Sequence, residues 1–599
     1  MKISAVAPSM LAAVAVVGTA WCVLNNTGNA EAATNQQTVI KLSGKSIAVS
    51  GKGAMANGSR LTIGAAGTYV VSGRLDDGQI IVDTSDTQPV KLIFNNVSIA
   101  STAAPVDIRK AEKVEIDLAE GSNNQLTDTA RANDAKDAAN AALYSKEDLT
   151  IGGKGTLTVQ ANARNGIVSK DSLKITGGRI SVQAANDGLK GKDSLTIKNG
   201  SLTIVAGGDG LQADNDKDAT KGKVSIEGGQ LNITAGGDGI QAASNLEIAG
   251  GSMVIAAGGG SAKGTRRSNG WGDRGGRYPT ATATDTPSTK GLKAGQALNI
   301  KAGSIEIDAA SDALHSNDAV RINGGSIQIT SGDDGIHADK NLQINGGDIR
   351  IVRSYEGMES TIIVMNGGNV RLVSSDDGVN VTNGEQGQGF GPFGGGRPGS
   401  GGAGGSASAG NSYLAIHGGY LYVDAGGDGI DANTSIEMTG GVVVVNGPTA
   451  NMNGPLDYDG SFKITGGFLV AAGSAGMAQA PGNTSTQRSV RIILPSTQAG
   501  GVPVGIAEES GKVLLSFVPT KSYQSLVLSS PALEQDKTYI VTVGGTPKGK
   551  AVDGLYPAES YAGATEITRF TVNGMVTGAG SGGGMGGFGG MGGFGRGGF

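Results

Sequence analysis

Apolar and polar residues alternate in short runs along most of this chain. From residue 149 to about residue 470 one pattern recurs: an alternating run, a Gly-Gly pair, a second alternating run, and a turn that ends in Asp-Gly. Because successive side chains of a strand point to opposite faces, each run predicts a short β-strand. In one copy the inward positions are predicted to be Leu173, Ile175, Ile180 and Val182, and the outward positions Lys174, Arg179 and Ser181.

The copies follow one another at a nearly constant interval. Those that open at Leu173 and Leu195 are 22 residues apart, as are those at Leu298, Val320 and Leu342. Such short strands cannot bury a face alone, so each copy must stack on the next. The sequence therefore predicts an all-β fold, a right-handed parallel β-helix of about 12 coils. A leucine-rich repeat has a similar length, but its leucine and asparagine pattern does not occur in this sequence.

Composition agrees with many short strands joined by tight turns. The chain has 599 residues, of which 104 are glycine, and only 4% are aromatic. The β-helix is expected to occupy residues 38–480, with insertions at 258–290 and 383–411. Residues 485–575 are predicted to form a small β-domain. Residues 576–599 form a Gly-rich tail without core-forming content, for which disorder is expected.

The N-terminus has the features of an export signal. Lys2 precedes a short apolar run, and small residues around Ala32 resemble a cleavage site, so residues 1–32 are interpreted as a signal peptide. The lone cysteine, Cys22, lies in this segment, and the bulky Trp21 before it does not fit a lipoprotein signal. The mature protein is expected to be secreted or at the cell surface, without disulfides and without a membrane anchor.

Charge and histidine content exclude several classes of function. The net charge is −5 and the pI about 5.5, and a nucleic-acid-binding protein would instead show a strongly basic stripe. No Ser-His-Asp arrangement is evident. His315 and His337 lie one coil apart, which is at most a weak metal pair, and His417 occupies another position of the repeat.

One carboxylate recurs at the same coil position. This carboxylate row comprises Asp187, Asp209, Asp238, Asp312, Asp334, Glu356, Asp377 and Asp428. In one interpretation each Asp-Gly is a turn in which Asp bonds to its local backbone and Gly takes a positive φ. In the other, stacking brings like charges about 4.8 Å apart, and Ca²⁺ between them relieves the repulsion. The nearby Asp214 and Asp216 either supply further calcium ligands or belong to a solvated acidic loop.

Lys290 interrupts the carboxylate row. After the insertion the chain resumes as Lys290-Gly-Leu, so a lysine occupies the carboxylate position. Lys290 either neutralises its neighbours or serves as the catalytic base of a polysaccharide lyase, with Lys190, Lys192 and Lys293 as further candidates. Acidic neighbours would raise rather than lower the pKa of such a lysine, which argues against the lyase.

The first insertion contains a basic and aromatic cluster. Arg266, Arg267, Trp271 and Tyr278 lie within it. An aromatic ring stacks on a sugar face, and arginines form paired hydrogen bonds with uronate carboxylates. The cluster is therefore a candidate ligand-binding site. A Gly-rich loop that merely contains charges is the alternative.

Several stretches resemble a known family. They are VKLIFNNVSI from Val90, VEIDLAEGSNNQLTD from Val114, ALYSKEDLTIGGKGTLTV from Ala142, and the Asp-Gly coils, together about residues 85–470. They resemble the bacterial carbohydrate-binding β-helix family typified by a clostridial protein that binds cellulose and polygalacturonate. The resemblance implies a right-handed β-helix of lyase-like shape that binds acidic sugars without cleaving them, with calcium bound at the Asp-Gly acids.

Three functional hypotheses follow. The favoured one is a non-catalytic, calcium-dependent binding protein for acidic polysaccharide or cellulose, acting as a monomer. The second is a calcium-dependent lyase of the pectate type, and the third is a structural surface or biofilm protein with no dedicated ligand.

Overall fold

Each copy of the repeat folds into three short strands. A computed structural model of the chain describes residues 37–129, 139–264, 288–382, 412–559 and 563–580. Every strand of the repeat pairs in parallel with the equivalent strand of the next copy, as the partners Leu173 and Leu195, Ile180 and Leu202, and Leu189 and Leu211 illustrate. The fold is therefore all-β with three parallel ladders, called here the first, second and third sheets after their order within a copy.

The three sheets contain most of the described strands. The first sheet comprises Val114–Leu118, Leu149–Gly153, Ser172–Ile175, Ser194–Ile197, Lys223–Ile226, Leu246–Ile248, Ala297–Ile300, Ala319–Ile322, Tyr413–Ile416, Ser435–Met438 and Ser461–Ile464. The second comprises Asn123–Asp128, Thr156–Ala161, Arg179–Ala184, Ser201–Ala206, Gln230–Ala235, Ser252–Ala257, Ser304–Ala309, Ser326–Ser331, Asp348–Ser354, Asn369–Ser374, Tyr420–Ala425, Val442–Asn446 and Phe468–Gly473. The third comprises Gln79–Asp83, Val106–Lys110, Ala141–Ser145, Asn165–Ser169, Leu189–Gly191, Leu211–Ala213, Ile240–Ala242, Leu292–Ala294, Leu314–Ser316, Val379–Val381, Ile430–Ala432 and Asp457–Tyr458.

Longer strands pass from one sheet to the next. Val90–Ser101 contributes to the first and second sheets, whereas Ile336–Ile344 and Met358–Met365 contribute to the third and first. The N-terminal strands are Thr38–Gly44, Ser46–Ser50, Ala54–Asn57, Arg60–Ile63 and Gly67–Leu75. Helical structure in the described residues is limited to the single 3₁₀ turn Ser261–Lys263.

The predicted inward residues form the core. Leu173, Ile175, Ile180 and Val182 are buried, and each stacks on an equivalent aliphatic residue of the next copy. The outward residues Lys174 and Arg179 are exposed and Ser181 is half-buried. Full burial of one such aliphatic side chain contributes about 1.5–3 kcal/mol, so these columns are the main source of stability. The predicted alternation is confirmed for this copy.

Glycine serves two different purposes in the repeat. The second residue of the Gly-Gly pair has a positive φ, 90° at Gly178 and 96° at Gly229. In the described Asp-Gly turns the glycine does not take this conformation, so that expectation was wrong. A Cβ on Gly210 would instead lie 2.3 Å from Ile233 Cγ2 and 2.5 Å from the carbonyl oxygen of Gly239. Glycine is required there because neighbouring copies approach too closely for a side chain.

The C-terminal region contains a separate antiparallel sheet. Its four strands in order are Val513–Phe517, Val504–Glu508, Thr538–Gly544 and Ala564–Thr571. Tyr523–Ser529 joins the region to the repeat, because it pairs antiparallel with Phe468–Gly473 and with Ser489–Gln498. Residues 576–580, which the sequence assigned to the tail, form the strand Val576–Gly580 alongside Ser489–Gln498.

Some predicted features fall on residues that the structure does not describe. These are the signal peptide 1–32, the candidate ligand-binding residues Arg266, Arg267, Trp271 and Tyr278, the insertion 383–411, and the tail from residue 581. Within the described residues, no helix has the length and apolarity that a membrane crossing requires.

Candidate functional site

The carboxylate row lies along one edge of the third sheet. Each member precedes by two residues the first buried residue of a third-sheet strand. Ile240 pairs with Leu292 and Leu292 with Leu314, so Asp238, Lys290 and Asp312 occupy equivalent positions in successive copies. The structure thus places Lys290 at a carboxylate position.

In six members of the carboxylate row one oxygen binds the neighbouring copy. Oδ1 accepts a hydrogen bond from the backbone N–H at the equivalent position of the next copy. These bonds join Asp209 to Asp187 (3.1 Å), Asp238 to Asp209 (2.8 Å), Lys290 to Asp238 (2.8 Å) and Asp428 to Asp377 (2.6 Å). Oδ1 of these aspartates therefore does not bond to the backbone of its own turn. They satisfy backbone donors between copies, where an unpaired buried N–H is costly.

In Asp187, Asp209, Asp312 and Asp334 the second carboxylate oxygen, Oδ2, lies beside the side chain three residues further on. That residue is the outward-facing centre of each third-sheet strand, and these residues form a second line called here the outer row. It contains, in order, Lys190, Gln212, Gln241, Lys293, His315, His337, Glu359, Asn380 and Asp431. The outer row thus begins with lysine and glutamine side chains, continues with two histidines, and ends with Glu359, Asn380 and Asp431.

Lysines neutralise the carboxylates in the first half of the site. Lys190 Nζ lies 3.6 Å from Asp187 Oδ2 and 2.7 Å from Asp214 Oδ2. Lys293 Nζ lies 3.3 Å from Asp238 Oδ2, and the side chain of Asp238 is only 1% exposed. Beside these pairs is a depression of about 350 Å³ that Asp187, Asp238 and Lys293 help to line. Asp187, Asp214 and Asp238 therefore already have a lysine as their partner.

Asp216 and Asp209 differ from those acids. The side chain of Asp216 is 69% exposed and lies 3.4 Å from Lys217 Nζ, as in a solvated acidic loop. Asp209 is held by Gln212, and burial together with the charge of Asp238 raises its pKa to about 6.

Lys290 forms a buried ion pair. Its Nζ lies 2.6 Å from Asp312 Oδ2, an oxygen that also lies 2.8 Å from His315 Nδ1. Burial by itself would raise the pKa of Asp312, but His315 and Lys290 outweigh that effect and hold the pKa well below its usual range. Lys290 Nζ is thus occupied by a buried carboxylate, which opposes a role for Lys290 as a catalytic base.

Carboxylates crowd together at the other end of the site. Burial and the neighbouring Asp376 and Asp428 raise the pKa of Asp377 to about 8. Burial and Asp428 likewise raise the pKa of Asp431 to about 7. Within the described residues, the buried amide oxygen Oδ1 of Asn380 has no hydrogen-bond partner. Buried carboxylates thus lie near enough to raise one another's pKa, and hard oxygens of this kind are the ligands that Ca²⁺ prefers.

Two histidines occupy the centre of the outer row. The rings of His315 and His337 stack with centroids 5.0 Å apart and an interplanar angle of 13°. His337 Nδ1 lies 3.2 Å from Asp334 Oδ2 and 2.9 Å from Glu359 Oε2. Burial would lower the pKa of His337, but these two carboxylates raise it to about 11.

Sequence reasoning noted the histidine pair and the nearby Asp312 and Asp334 but missed Glu359 and Asp339. Glu359 follows His337 by the same 22-residue interval that separates the two histidines. The interval would have revealed this neighbour if it had been applied to the residues after the Asp-Gly turns as well as to the turns.

The match to a family model falls in the first part of the chain. A family model described as carbohydrate-binding domain-containing protein matches residues 57–335. That stretch includes the carboxylate row from Asp187 to Asp334. It also includes the outer-row residues Lys190, Gln212, Gln241 and Lys293, called here the basic half of the outer row. Asp377 and Asp428 lie beyond it.

One curated relative and one solved structure are similar to parts of the chain. A carbohydrate-binding domain-containing protein of Acetivibrio thermocellus is 47% identical over 122 residues, which are 20% of this chain and 43% of that protein. The chain thus spans less than half of that relative. A polysaccharide lyase-like protein from C. thermocellum, solved as a gadolinium derivative, is 38% identical with a TM-score of 0.37, over 37% of this chain and 92% of that one.

Proposed function

We propose that this protein is a secreted, non-catalytic carbohydrate-binding protein that binds acidic polysaccharide in a calcium-dependent way. The observation that carries the proposal is the match of residues 57–335 to a carbohydrate-binding family, over the stretch that contains the basic half of the outer row. In this proposal the three sheets are the faces of a right-handed parallel β-helix of about 12 coils, which acts as a monomer.

The basic half of the outer row is the proposed sugar-binding surface. Lys190 and Lys293 present ammonium groups on the same face as the amides of Gln212 and Gln241. Ammonium groups attract uronate carboxylates, and side-chain amides both donate to and accept from sugar hydroxyls. Equivalent outer-row residues repeat with the spacing of parallel strands, about 4.8 Å, so an extended chain contacts several copies at once.

Calcium is proposed to bind at the acidic end. Asp377, Asn380, Asp428 and Asp431 would hold it, because the carboxylates raise one another's pKa, no cationic side chain is among the groups that shift the pKa of Asp377, and Oδ1 of Asn380 has no hydrogen-bond partner among the described residues. Bound calcium would neutralise these carboxylates and offer coordination positions to sugar oxygens. The lysine-paired acids in the basic half are poorer candidates for calcium.

Polygalacturonate retention tests the proposal. We expect the protein to be retained on immobilised polygalacturonate in CaCl₂, to be released by EDTA, and to form no unsaturated product detectable by ultraviolet absorbance. Asp428→Asn should abolish the calcium response, and Lys293→Ala should weaken retention about tenfold, which corresponds to about 1.4 kcal/mol. Asp216→Asn, at an exposed acid, is the matched control and should behave as wild type.

The other outcomes separate the hypotheses. Retention that is insensitive to EDTA would contradict calcium dependence but leave sugar binding intact. Absence of retention, together with a melting temperature that EDTA does not change, would contradict both proposals and favour a purely structural protein.

A polysaccharide lyase is the second candidate, and Lys170 is the residue that favours it. Partial burial and the charge of Lys190 lower the pKa of Lys170, as abstraction of an α-proton by an amine requires. Formation of unsaturated product that Lys170→Ala abolishes and Lys290→Ala preserves would establish this candidate in place of the binding protein.

A further inference from the structure

At the centre of the site one residue of the carboxylate row and two of the outer row form a ligand set that differs from the rest. Asp334, His337 and Glu359 each contribute one atom to a group in which all atoms lie within 4.8 Å of one another. Two of these separations, 2.9 and 3.2 Å, join His337 Nδ1 to the two carboxylates. Ligands bound to one zinc-sized ion at about 2.1 Å lie roughly 3 to 3.5 Å from each other. The two separations at His337 Nδ1 are close to that spacing, and the third lies within 4.8 Å.

Hydrogen bonding alone leaves this group incompletely satisfied. A single Nδ1 proton faces two carboxylate oxygens, and it can form a well-aligned bond with only one of them. The other oxygen of Asp334, Oδ1, is buried and has no hydrogen-bond partner among the described residues, although the Asp334 side chain is only 2% exposed. Elsewhere in the carboxylate row Oδ1 accepts an N–H from the next copy.

The strand register of the repeat is interrupted near this unpaired oxygen. In the second sheet the register shifts between Ile329 and Thr330, and again between Ile351 and Ser354. These are the strands that lead into the turns of Asp334 and of the next copy. Oδ1 of Asp334 thus lacks the backbone donor that the regular repeat provides, and this buried oxygen is available to bind a ligand.

We propose that Asp334, His337 and Glu359 bind a divalent transition-metal ion of the zinc type. An imidazole nitrogen with two carboxylates is a set that such ions accept, whereas Ca²⁺ takes oxygen ligands almost exclusively. The site is therefore distinct from the calcium site proposed at Asp377 and Asp428, and it does not depend on sugar binding.

The surroundings of His337 support a metal site. Its second nitrogen, Nε2, lies 3.1 Å from Asp339 Oδ1, the arrangement in which an outer carboxylate orients a metal-bound imidazole. On one side the ring stacks on His315, which is itself held by Asp312 and Asn317. The ring orientation is thus fixed before any ion arrives.

Two of the three proposed ligands, His337 and Glu359, border a surface depression. His337, Asp339 and Glu359 line a depression of about 390 Å³ together with the hydroxyl residues Ser360 and Thr361. Three protein ligands leave at least one coordination position of a zinc-type ion for water or an exogenous ligand. Such a position would open into this depression.

Zinc titration of the full chain tests the proposal. The protein, without an affinity tag and freed of metal with EDTA, is titrated with ZnCl₂ by calorimetry in excess CaCl₂. We expect one high-affinity Zn²⁺ per chain, which His337→Ala and Glu359→Gln abolish. Asp339→Asn should weaken binding roughly 10- to 100-fold, as loss of an outer-shell carboxylate does. Substitution by Co²⁺ should give a visible absorption band that His337→Ala removes.

Two matched controls make the outcome decisive. His417→Ala removes a histidine whose ring lies beside Thr439 in a different turn, and Asp428→Asn removes a proposed calcium ligand. Both should bind zinc as wild type does. Circular dichroism checks that each variant is folded, and if His337→Ala is not, the isosteric Glu359→Gln decides. Displacement of zinc by calcium, or equal zinc binding by wild type and Glu359→Gln, would overturn the proposal and leave His337 as a plain imidazolium in an ion pair.

Discussion

Asp238→Ala is expected to lower the free energy of unfolding by about 2–4 kcal/mol. Oδ1 of Asp238 accepts the backbone N–H of Lys290 at 2.8 Å, and Oδ2 lies 3.3 Å from Lys293 Nζ. The substitution leaves that N–H and a partly buried ammonium without their partners, and neither is readily solvated. Urea unfolding followed by circular dichroism measures the loss.

Two further variants separate the contributions of Asp238. Asp238→Asn keeps an oxygen that can accept the N–H of Lys290 but loses the ion pair, so its loss of stability should be smaller. Asp216→Ala, at an exposed acid, should change stability by less than about 0.5 kcal/mol. The deficit of Asp238→Ala should persist in EDTA. A deficit that disappears when calcium is removed would mean that Asp238 acts chiefly as a calcium ligand.

Gly239→Val should destabilise the protein by about 3 kcal/mol or more, because it overpacks the contact between two copies. A Cβ at Gly239 would lie 2.3 Å from Ile255 Cγ2 and 2.6 Å from the carbonyl oxygen of Gly291. The side chain of Ile255 can adjust, but the carbonyl belongs to the backbone of the next copy. Relief of the clash therefore requires the two copies to separate, with loss of parallel hydrogen bonds.

The control for Gly239→Val is Gly578→Val. A Cβ at Gly578 meets no atom within 4 Å, so the same substitution should be nearly neutral there. Gly239→Ala should have an intermediate effect, since Ala313 occupies the equivalent position in a later copy. A wild-type unfolding midpoint for Gly239→Val would contradict the argument that close approach, rather than backbone conformation, requires this glycine.

Both predictions concern an edge of the third sheet that the sequence identified only in outline. The interval of 22 residues placed Asp187, Asp209 and Asp238 in one row and aligned Lys290 with them. It could not assign bonds to individual oxygens. Turn statistics favoured an aspartate that bonds locally and a glycine with positive φ, whereas both residues instead serve the contact between copies.

The sequence by itself determined the strands, their inward faces and the stacking of equivalent positions. These features depend on alternation within a run and on a constant repeat length, and both are properties of the linear order of residues. Leu173 and Ile175 are buried for that reason.

Only the tertiary structure decided which side chains meet across copies. Asp238 and Lys290 are 52 residues apart because an insertion intervenes, yet they are adjacent in the row. His337 meets Asp334 within its own turn but Glu359 from the next copy, while a register shift nearby accompanies the orphaned oxygen of Asp334. Such contacts depend on insertions, bulges and side-chain rotamers, which leave no periodic signal in the sequence.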